Sequence, residues 1–269
     1  MKKTAFEKLE QLRQNLRALE NVAIAFSGGV DSSFLLKIAK DELNDKIIAL
    51  TIQSSCFPKK EFMESKQFAK SQGVTQIVIP VKITDIKNFS KNPIDRCYHC
   101  KKALFEQMKK VAKEHNIVNL IEGSNHDDSF DYRPGAKAID ELGIRSPLKE
   151  VGLTKDEIRL LSKELGLVMW DKPAFACLAS RFPYGTRITQ SKLNLIEQAE
   201  AYLHDLGIRQ IRVRYHEDIA RIEVEKKDFN KIIHHAEDIT EKLKELGFTY
   251  ITLDLKGYRT GSLNEGMMK

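Results

Sequence analysis

The chain is poor in the features that mark membrane, secreted and repeat proteins. No apolar run approaches the roughly 18 residues that span a bilayer. Met1-Lys2-Lys3 leads straight into Glu-rich helical sequence, without the apolar core of a signal peptide. Cysteine occurs four times in 269 residues, at Cys56, Cys97, Cys100 and Cys177, too few to staple a chain this long. The expectation is a cytoplasmic protein with reduced thiols available as ligands or nucleophiles. Internal repeats and low-complexity linkers are also missing. Hydrophobic residues at 42% and charged residues at 30% describe a globular chain with ample material for a core.

The net charge is +6, from 44 Lys and Arg against 38 Asp and Glu. Residues 186–269 carry 14 of each sign, so the whole excess lies in residues 1–185. That speaks against a basic C-terminal module for nucleic acid and fits a phosphate pocket in the first part.

Apolar spacing predicts a helix over 4–19 and a strand Val22–Phe26, then a helix over 31–42 and a strand Ile47–Ile52. A helix over 59–71, a strand Gln76–Val81, a helix over 99–115 and a strand Ile117–Ile121 follow. Short strands alternating with helices predict an α/β fold built on a parallel sheet. Thr154-x-x-Glu157 opens a further helix as a capping box, and Gly166 closes it. Beyond residue 185 the order becomes helix (189–206), strands Gln210–Tyr215 and Ala220–Glu225, helix (228–246) and strand Tyr250–Leu255. This predicts a small α+β domain over 186–269, separate from a first domain over 1–185. The boundary is expected within Arg181-Phe182-Pro183-Tyr184-Gly185-Thr186-Arg187.

The most informative stretch is Ala25-Phe26-Ser27-Gly28-Gly29-Val30-Asp31-Ser32-Ser33, set between the first strand and the next helix. Two glycines permit close approach of backbone to a ligand. The helix N-terminus supplies unpaired N–H groups and partial positive charge, and three serine hydroxyls add donors. The lysine of a Walker A loop is missing, as is the G-x-G-x-x-G fingerprint. The stretch resembles the PP-loop family of ATP pyrophosphatases, which cradle the pyrophosphate of ATP on Ser-Gly-Gly-x-Asp-Ser. By that resemblance Asp31 helps to hold Mg²⁺, and Glu122-Gly123-Ser124-Asn125-His126-Asp127-Asp128 forms a second loop facing the nucleotide. Ala25, Thr51, Gln53 and Gly123, near strand ends, are candidates for adenine contact.

Cys97-Tyr98-His99-Cys100 is expected on a loop entering a helix N-terminus, a position that favours thiolate. One C-x-x-C can be half of a zinc site, a redox pair or part of a cluster site. Cys177 lies in a segment without clear periodicity. Together, Cys97, Cys100 and Cys177 can hold three irons of a 4Fe–4S cluster and leave the fourth open. Cys56, before Phe57-Pro58, reads as a packed small side chain.

Three signatures together resemble the LarE family of ATP-dependent sulfur transferases. They are Ser27–Ser33, Pro173-Ala-x-x-Cys177-Leu-Ala-Ser180-Arg181-Phe-Pro-Tyr-Gly185, and Leu253-Asp-Leu-x-Gly-Tyr-Arg259-Thr-Gly-Ser262, and the likeness covers nearly the whole chain. The resemblance implies adenylylation of a carboxylate of pyridinium-3,5-biscarboxylic acid mononucleotide and its conversion to a thiocarboxylate, in nickel-pincer cofactor synthesis. In one branch a lone cysteine at the position of Cys177 gives up its own sulfur. In a three-cysteine variety a 4Fe–4S cluster delivers sulfide from a separate source. Ser180, Arg181, Arg187, Arg212, Arg214 and Arg259 are candidate contacts for the substrate's anionic groups. The family also implies a homo-oligomer. A PP-loop tRNA-thiolating enzyme and a nucleotide-binding protein with structural zinc remain alternatives.

Overall fold

The computed structural model describes residues 4–129, 134–173 and 176–267. Its backbone forms two compact units, Met1–Lys82 with Asp95–Ala174, and Ile83–Ile94 with Phe175–Lys269.

The first unit runs α1 (Ala5–Arg17), β1 (Val22–Ala25), α2 (Val30–Leu43), β2 (Ile47–Gln53), α3 (Lys59–Ser71) and β3 (Thr75–Pro80). It continues with α4 (Arg96–Glu114), β4 (Leu120–Ile121), α5 (Pro134–Glu141), α6 (Pro147–Glu150) and α7 (Lys155–Glu164). The four strands form a parallel sheet in the order β3-β2-β1-β4. Val22 pairs with Ile47, Ala23 with Leu120 and Ile48 with Thr75. Strands in the middle of such a sheet are covered on both faces and read as unbroken apolar runs, as Val22-Ala23-Ile24 does. The core beneath them combines Leu12 and Leu16 of α1, Phe34, Leu35 and Ile38 of α2, and Ile158 and Leu161 of α7. Capping boxes start α1 at Thr4 and Glu7, and α7 at Thr154 and Glu157, so the latter matches the expectation.

The second unit contains α8 (Gln190–Asp205), β5 (Ile211–His216), β6 (Ile219–Val224), α9 (Phe229–His234), α10 (Ala236–Glu245) and β7 (Tyr250–Leu253). Its sheet has the order β5-β6-β7, with β5 and β6 antiparallel and β6 and β7 parallel. The helix expected over 228–246 is interrupted at His235, where φ −100° and ψ 21° leave the helical range.

The units divide the chain elsewhere than the expected 185/186 boundary. Ile83–Ile94 belongs with the second unit because it is hydrogen-bonded to the Phe182–Ile188 stretch. Asn92 donates from Nδ2 to the Pro183 carbonyl at 2.7 Å and accepts from Gly185 N at 2.9 Å, while Ile188 N donates to the Ser90 carbonyl. Sequence periodicity has no access to such pairing. The Arg181–Arg187 stretch is thus internal to a unit. Among the described residues no helix is long and apolar enough to cross a membrane.

Candidate active site

In the first unit, β1 ends at Ala25, and Phe26 N still donates to the Leu50 carbonyl at 2.8 Å. The chain then turns through Ser27-Gly28-Gly29 into α2. Gly28 has φ +76°, and a Cβ there would lie 2.8 Å from Ser65 Cβ and 3.2 Å from Ser65 Cα. Both the conformation and the packing on α3 demand glycine. Gly29 is the N-cap of α2 with extended backbone and no side-chain cap, so the first-turn amides of Val30, Asp31 and Ser32 keep their donor capacity. Ser27 Oγ and Ser32 Oγ lie 3.1 Å apart at the mouth of this turn, and Ser32 also donates to the Gly29 carbonyl.

Gly28→Ala is expected to lower the unfolding midpoint by several degrees, since strain of about 1–3 kcal/mol at positive φ adds to the overlap with Ser65. Gly29→Ala is the control: its φ is −76° and a Cβ meets only Ser27 Oγ at 3.5 Å. Thermal unfolding of the two variants beside the wild type measures the difference.

Asp31 stands one residue inside α2. Both carboxylate oxygens accept from Lys155 Nζ at 2.8 Å, and Asn125 Nδ2 donates to one of them at 3.3 Å. Lys155 is the first residue of α7, whose N-terminal amide donates to Asp127 at 2.7 Å. The loop following β4 is therefore fastened to both helices. Gly123 is its point of closest approach: a Cβ there would sit 3.0 Å from Ser32 N. Lys172 reaches the same turn from the other side, donating to the Gly28 carbonyl at 3.3 Å while paired at 2.7 Å with Glu61 and with Glu64 of α3. Burial works against the Lys172 ammonium, but the two carboxylates outweigh it and raise its pKa above the ordinary lysine value.

Two expected contacts are corrected here. Ser33 is fully buried on the core side of α2, and its hydroxyl makes no hydrogen bond among the described residues, so it does not face the turn. Thr51 is 4% exposed, donates to the Phe26 carbonyl and accepts from Gln76 Nε2, which makes it a strut between strands and not an adenine contact. Ala25 and Gly123 remain half-buried at the strand ends. Val30 is 4% exposed and offers only its amide.

Cys97 and Cys100 do not lie on a loop: α4 begins at Arg96 and places both in its first turns, one helical turn apart on a shared face, each half-buried. The Arg96 guanidinium lies 3.8 Å from Cys97 Sγ at the N-terminus of α4. His99 is tied to Asp95 at 3.0 Å. No cysteine is in a disulfide; Cys56 is 1% exposed, as a packed small side chain should be. Among the described residues no three His, Cys, Asp or Glu form a metal-binding arrangement.

Cys177 belongs to the second unit, half-buried just before the turn Leu178–Arg181. Its carbonyl accepts from Ser180 N at 3.0 Å, Ser180 Oγ at 2.8 Å and Arg181 Nη1 at 3.2 Å. Arg181 is 0% exposed and meets Glu200 of α8 through two bonds of 2.9 and 2.8 Å. It is therefore a positioning residue for the Cys177 turn, not the substrate contact expected from sequence. Burial raises the Glu200 pKa, but the charge and hydrogen bonds of Arg181, with Arg212 and the Val213 amide, outweigh it and leave the carboxyl below its ordinary value.

Arg212 and Arg214 do share one face of β5, as alternation requires. Both are buried. Arg214 donates to the Ser180 carbonyl at 2.7 Å, Glu223 at 2.9 Å and Ser262 Oγ at 2.7 Å. Arg212 lies 5.3 Å above the Tyr258 ring, and burial followed by repulsion from Arg181 pulls its pKa down to about 10. Arg214 Nε, Arg221 Nε and His216 Nε2 are buried without hydrogen-bond partners among the described residues. These are donor positions that an anion would satisfy. Arg259 is held by Asp254 and Glu265, and Arg187 is exposed. The Leu253–Ser262 signature thus supplies Asp254, Tyr258 and Ser262 to the arginine cluster.

Lys155, Lys172, Glu200 and Glu223 lie outside the sequence expectations, whereas Asn125 falls within the expected Glu122–Asp128 loop. Lys155 alone had a visible signal, as the first residue of a capped helix near the carboxyl edge of a parallel sheet.

A parallel sheet whose first strand opens through Ser-Gly-Gly-Val-Asp-Ser onto an uncapped helix N-terminus defines the PP-loop class of ATP-using enzymes. In agreement, the NAD synthase family model matches residues 4–120. The chain is 39% identical over 264 residues to the Synechocystis protein slr1717, covering 97% of this chain and 98% of that one. It is 36% identical over 255 residues to the pyridinium-3,5-bisthiocarboxylic acid mononucleotide synthase of Lactiplantibacillus plantarum, covering 94% and 92%. A more distant likeness, 26% over 219 residues, is to a subunit of the glutamine-hydrolyzing GMP synthase of Methanocaldococcus jannaschii, covering 76% and 69%. The chain belongs to the LarE family of sulfur transferases, the family of the Lactiplantibacillus enzyme.

Proposed function

We propose that the protein is an ATP-dependent sulfur transferase that converts a carboxylate of pyridinium-3,5-biscarboxylic acid mononucleotide to a thiocarboxylate, in the synthesis of a nickel-pincer cofactor. The observation that carries this reading is the turn from Ser27 to Ser32, with its open amides and with Asp31 and Lys155 at its mouth, in a chain alike over nearly its full length to an enzyme named for that product.

The chemistry runs in two displacements. A substrate carboxylate oxygen attacks the α-phosphorus of ATP, and pyrophosphate leaves. The first-turn amides and the hydroxyls of Ser27 and Ser32 neutralise its departing charge. Asp31 would offer its carboxylate to Mg²⁺, which when bound would supply Lewis-acid charge to the phosphates, and Lys155, paired with Asp31 here, adds a second cation beside it. A sulfur nucleophile then attacks the acyl carbon and AMP leaves, taking the carboxylate oxygen with it. Arg214, whose Nε is buried without a hydrogen-bond partner among the described residues, suits the phosphate of the mononucleotide.

Three half-buried cysteines outside any disulfide have the soft donor chemistry of an iron–sulfur site. Cys97, Cys100 and Cys177 would hold a 4Fe–4S cluster, which when bound supplies sulfide to the acyl carbon. Arg181 and Ser180 fix the backbone of Cys177 for that purpose. The protein would act in the cytoplasm as a homo-oligomer, drawing on a separate sulfide source.

Iron and acid-labile sulfide per chain, measured after anaerobic preparation, test the assignment. About four of each in the wild type and a loss in Cys97→Ala are expected. No iron, with Cys177 lighter by about 34 Da after turnover (the mass of H₂S lost on the covalent route), would make Cys177 a consumed donor instead.

A further inference from the structure

A narrow cleft of the first unit lies at the carboxyl end of β4, between that strand's following loop, α4, α5 and α6. Lys101 and Lys149 face it, with Ser124 and Ser146 opposite and Asp128 and Asp140 at its borders. Lys101 has no hydrogen-bonding or ionic partner among the described residues, although it is half-buried. Its stem is pressed beneath α5: a Cβ on Gly135 would fall 2.6 Å from Lys101 Cδ. Its stem is held under α5 and its ammonium makes no ion pair among the described residues, which leaves that charge available to an anion.

The other wall has the opposite character. Glu122 is 6% exposed and accepts Ser124 N at 3.0 Å, Ser124 Oγ at 2.9 Å and the Ser146 hydroxyl, which makes a close contact with the carboxylate. Both serine protons are thereby committed to Glu122, so the hydroxyls turn lone pairs toward the cleft. No basic side chain is paired with Glu122 in the described residues. Lys101 and Lys149 thus face a buried carboxylate behind two acceptor oxygens, and Asp128 and Asp140 add negative charge at the borders.

The position is equally specific. In the order β3-β2-β1-β4 the chain leaves β1 for one side of the sheet and reaches β4 on the other, so the switch point lies between them. Ligands of open α/β sheets bind outside the carboxyl ends of the strands at such a point. The turn after β1 takes the phosphates; the loop after β4 is left for the second reactant. Lys101 also directly follows Cys100 and stands one turn beyond Cys97 on α4, so the amine shares a helix face with Cys97.

We propose that this cleft is the subsite for the reacting edge of the substrate ring, with Lys101 as the anchor of the carboxylate and the Glu122-Ser124-Ser146 wall as the selector for a cationic pyridinium. The inference rests on the proposed sulfur-transfer function and adds the residues that distinguish a pyridinium dicarboxylate from other carboxylates. Lys101 holds the anion before adenylylation, and the buried charge of Glu122 favours a ring carrying positive charge over a neutral one.

Pyrophosphate release by the full chain is measured with the pyridinium dicarboxylate mononucleotide. Binding is measured with two smaller probes, N-methylpyridinium-3,5-dicarboxylate and neutral pyridine-3,5-dicarboxylate. Lys101→Met preserves the stem under Gly135 and is expected to raise KM for the nucleotide roughly 10–100-fold, the effect of losing one charge-assisted hydrogen bond, with ATP binding unchanged. Acetylation mapped by mass spectrometry should show Lys101 shielded by the N-methylpyridinium probe. That probe should bind more tightly than the neutral one, and Glu122→Gln should erase the preference. An unchanged KM in Lys101→Met, with Lys101 acetylated equally with and without probe, would overturn the anchor. Equal binding of the two probes would overturn the selector. If the wild type neither binds the nucleotide nor releases pyrophosphate with it, the sulfur-transfer function itself falls.

Discussion

Asp31→Asn is expected to reduce pyrophosphate release by about 10²–10³-fold, the usual cost of removing a group that stabilises transition-state charge. The substitution keeps the size of the side chain and removes only its charge. Folding should be little affected, because the Asp31–Lys155 pair is 21% and 28% exposed, and pairs of that kind contribute about 0–1 kcal/mol. The loss would therefore appear in turnover and in the Mg²⁺ dependence of ATP binding, with the unfolding midpoint nearly unchanged. Lys155→Met should produce a smaller fall in rate, since in the proposed reaction the amides and Mg²⁺ would still act on the leaving pyrophosphate. A rate for Asp31→Asn within about threefold of wild type, well short of the loss expected for a charge-stabilising group, would remove Asp31 from the mechanism.

The largest effect on stability is expected at Arg181. Arg181→Met strips Glu200 of a two-point partner while leaving it buried, a change that costs about 3–5 kcal/mol. The pH dependence has a definite sign. Glu200 has a folded pKa below its ordinary 4.5, so its contribution is present above that value and is lost as pH falls through the folded one. In the variant the carboxyl loses the cation that opposed its burial, its pKa rises, and the protein takes up a proton at Glu200 instead. The gap between variant and wild type is thus widest near neutrality and narrows as pH falls first through the variant's raised Glu200 pKa and then through the wild type's lowered one. Denaturant unfolding at neutral pH and at about pH 4, just under that ordinary value, measures both. Arg181→Met combined with Glu200→Leu should recover much of the loss, because no unpaired charge remains. A single variant as stable as wild type at neutral pH would show that Glu200 is held by other groups.

Much of the fold was legible because it rests on local chemistry. Val22–Ala25, Ile47–Gln53 and the helices between them follow from apolar spacing, and Thr154 with Glu157 announced α7 by its cap. The Ser27–Ser32 turn was legible for the same reason: one short stretch carries its glycines, hydroxyls and carboxylate. Other features depend on partners distant in the chain. Lys155 meets Asp31, and Asn92 meets Pro183, only after folding. Arg181 looked like a ligand contact because arginine in a polar stretch suits anions; Glu200, a helical residue with no special context, consumed that capacity. α4 begins at Arg96, three residues before the helix expected over 99–115, which brings Cys97 into its first turn along with Cys100.

The passage of Ile83–Ile94 through the second unit has a consequence for biosynthesis. On the ribosome this segment emerges long before Phe182–Ile188, its hydrogen-bonding partner. At about 5–20 residues per second, it waits on the order of ten seconds with Phe89 uncovered and Asn92 unsatisfied. During that interval the nascent chain carries an exposed apolar tether inside an otherwise folding N-terminal half, a natural target for chaperone binding. For the same reason a fragment truncated to its carboxyl-terminal residues would lack one of its own walls.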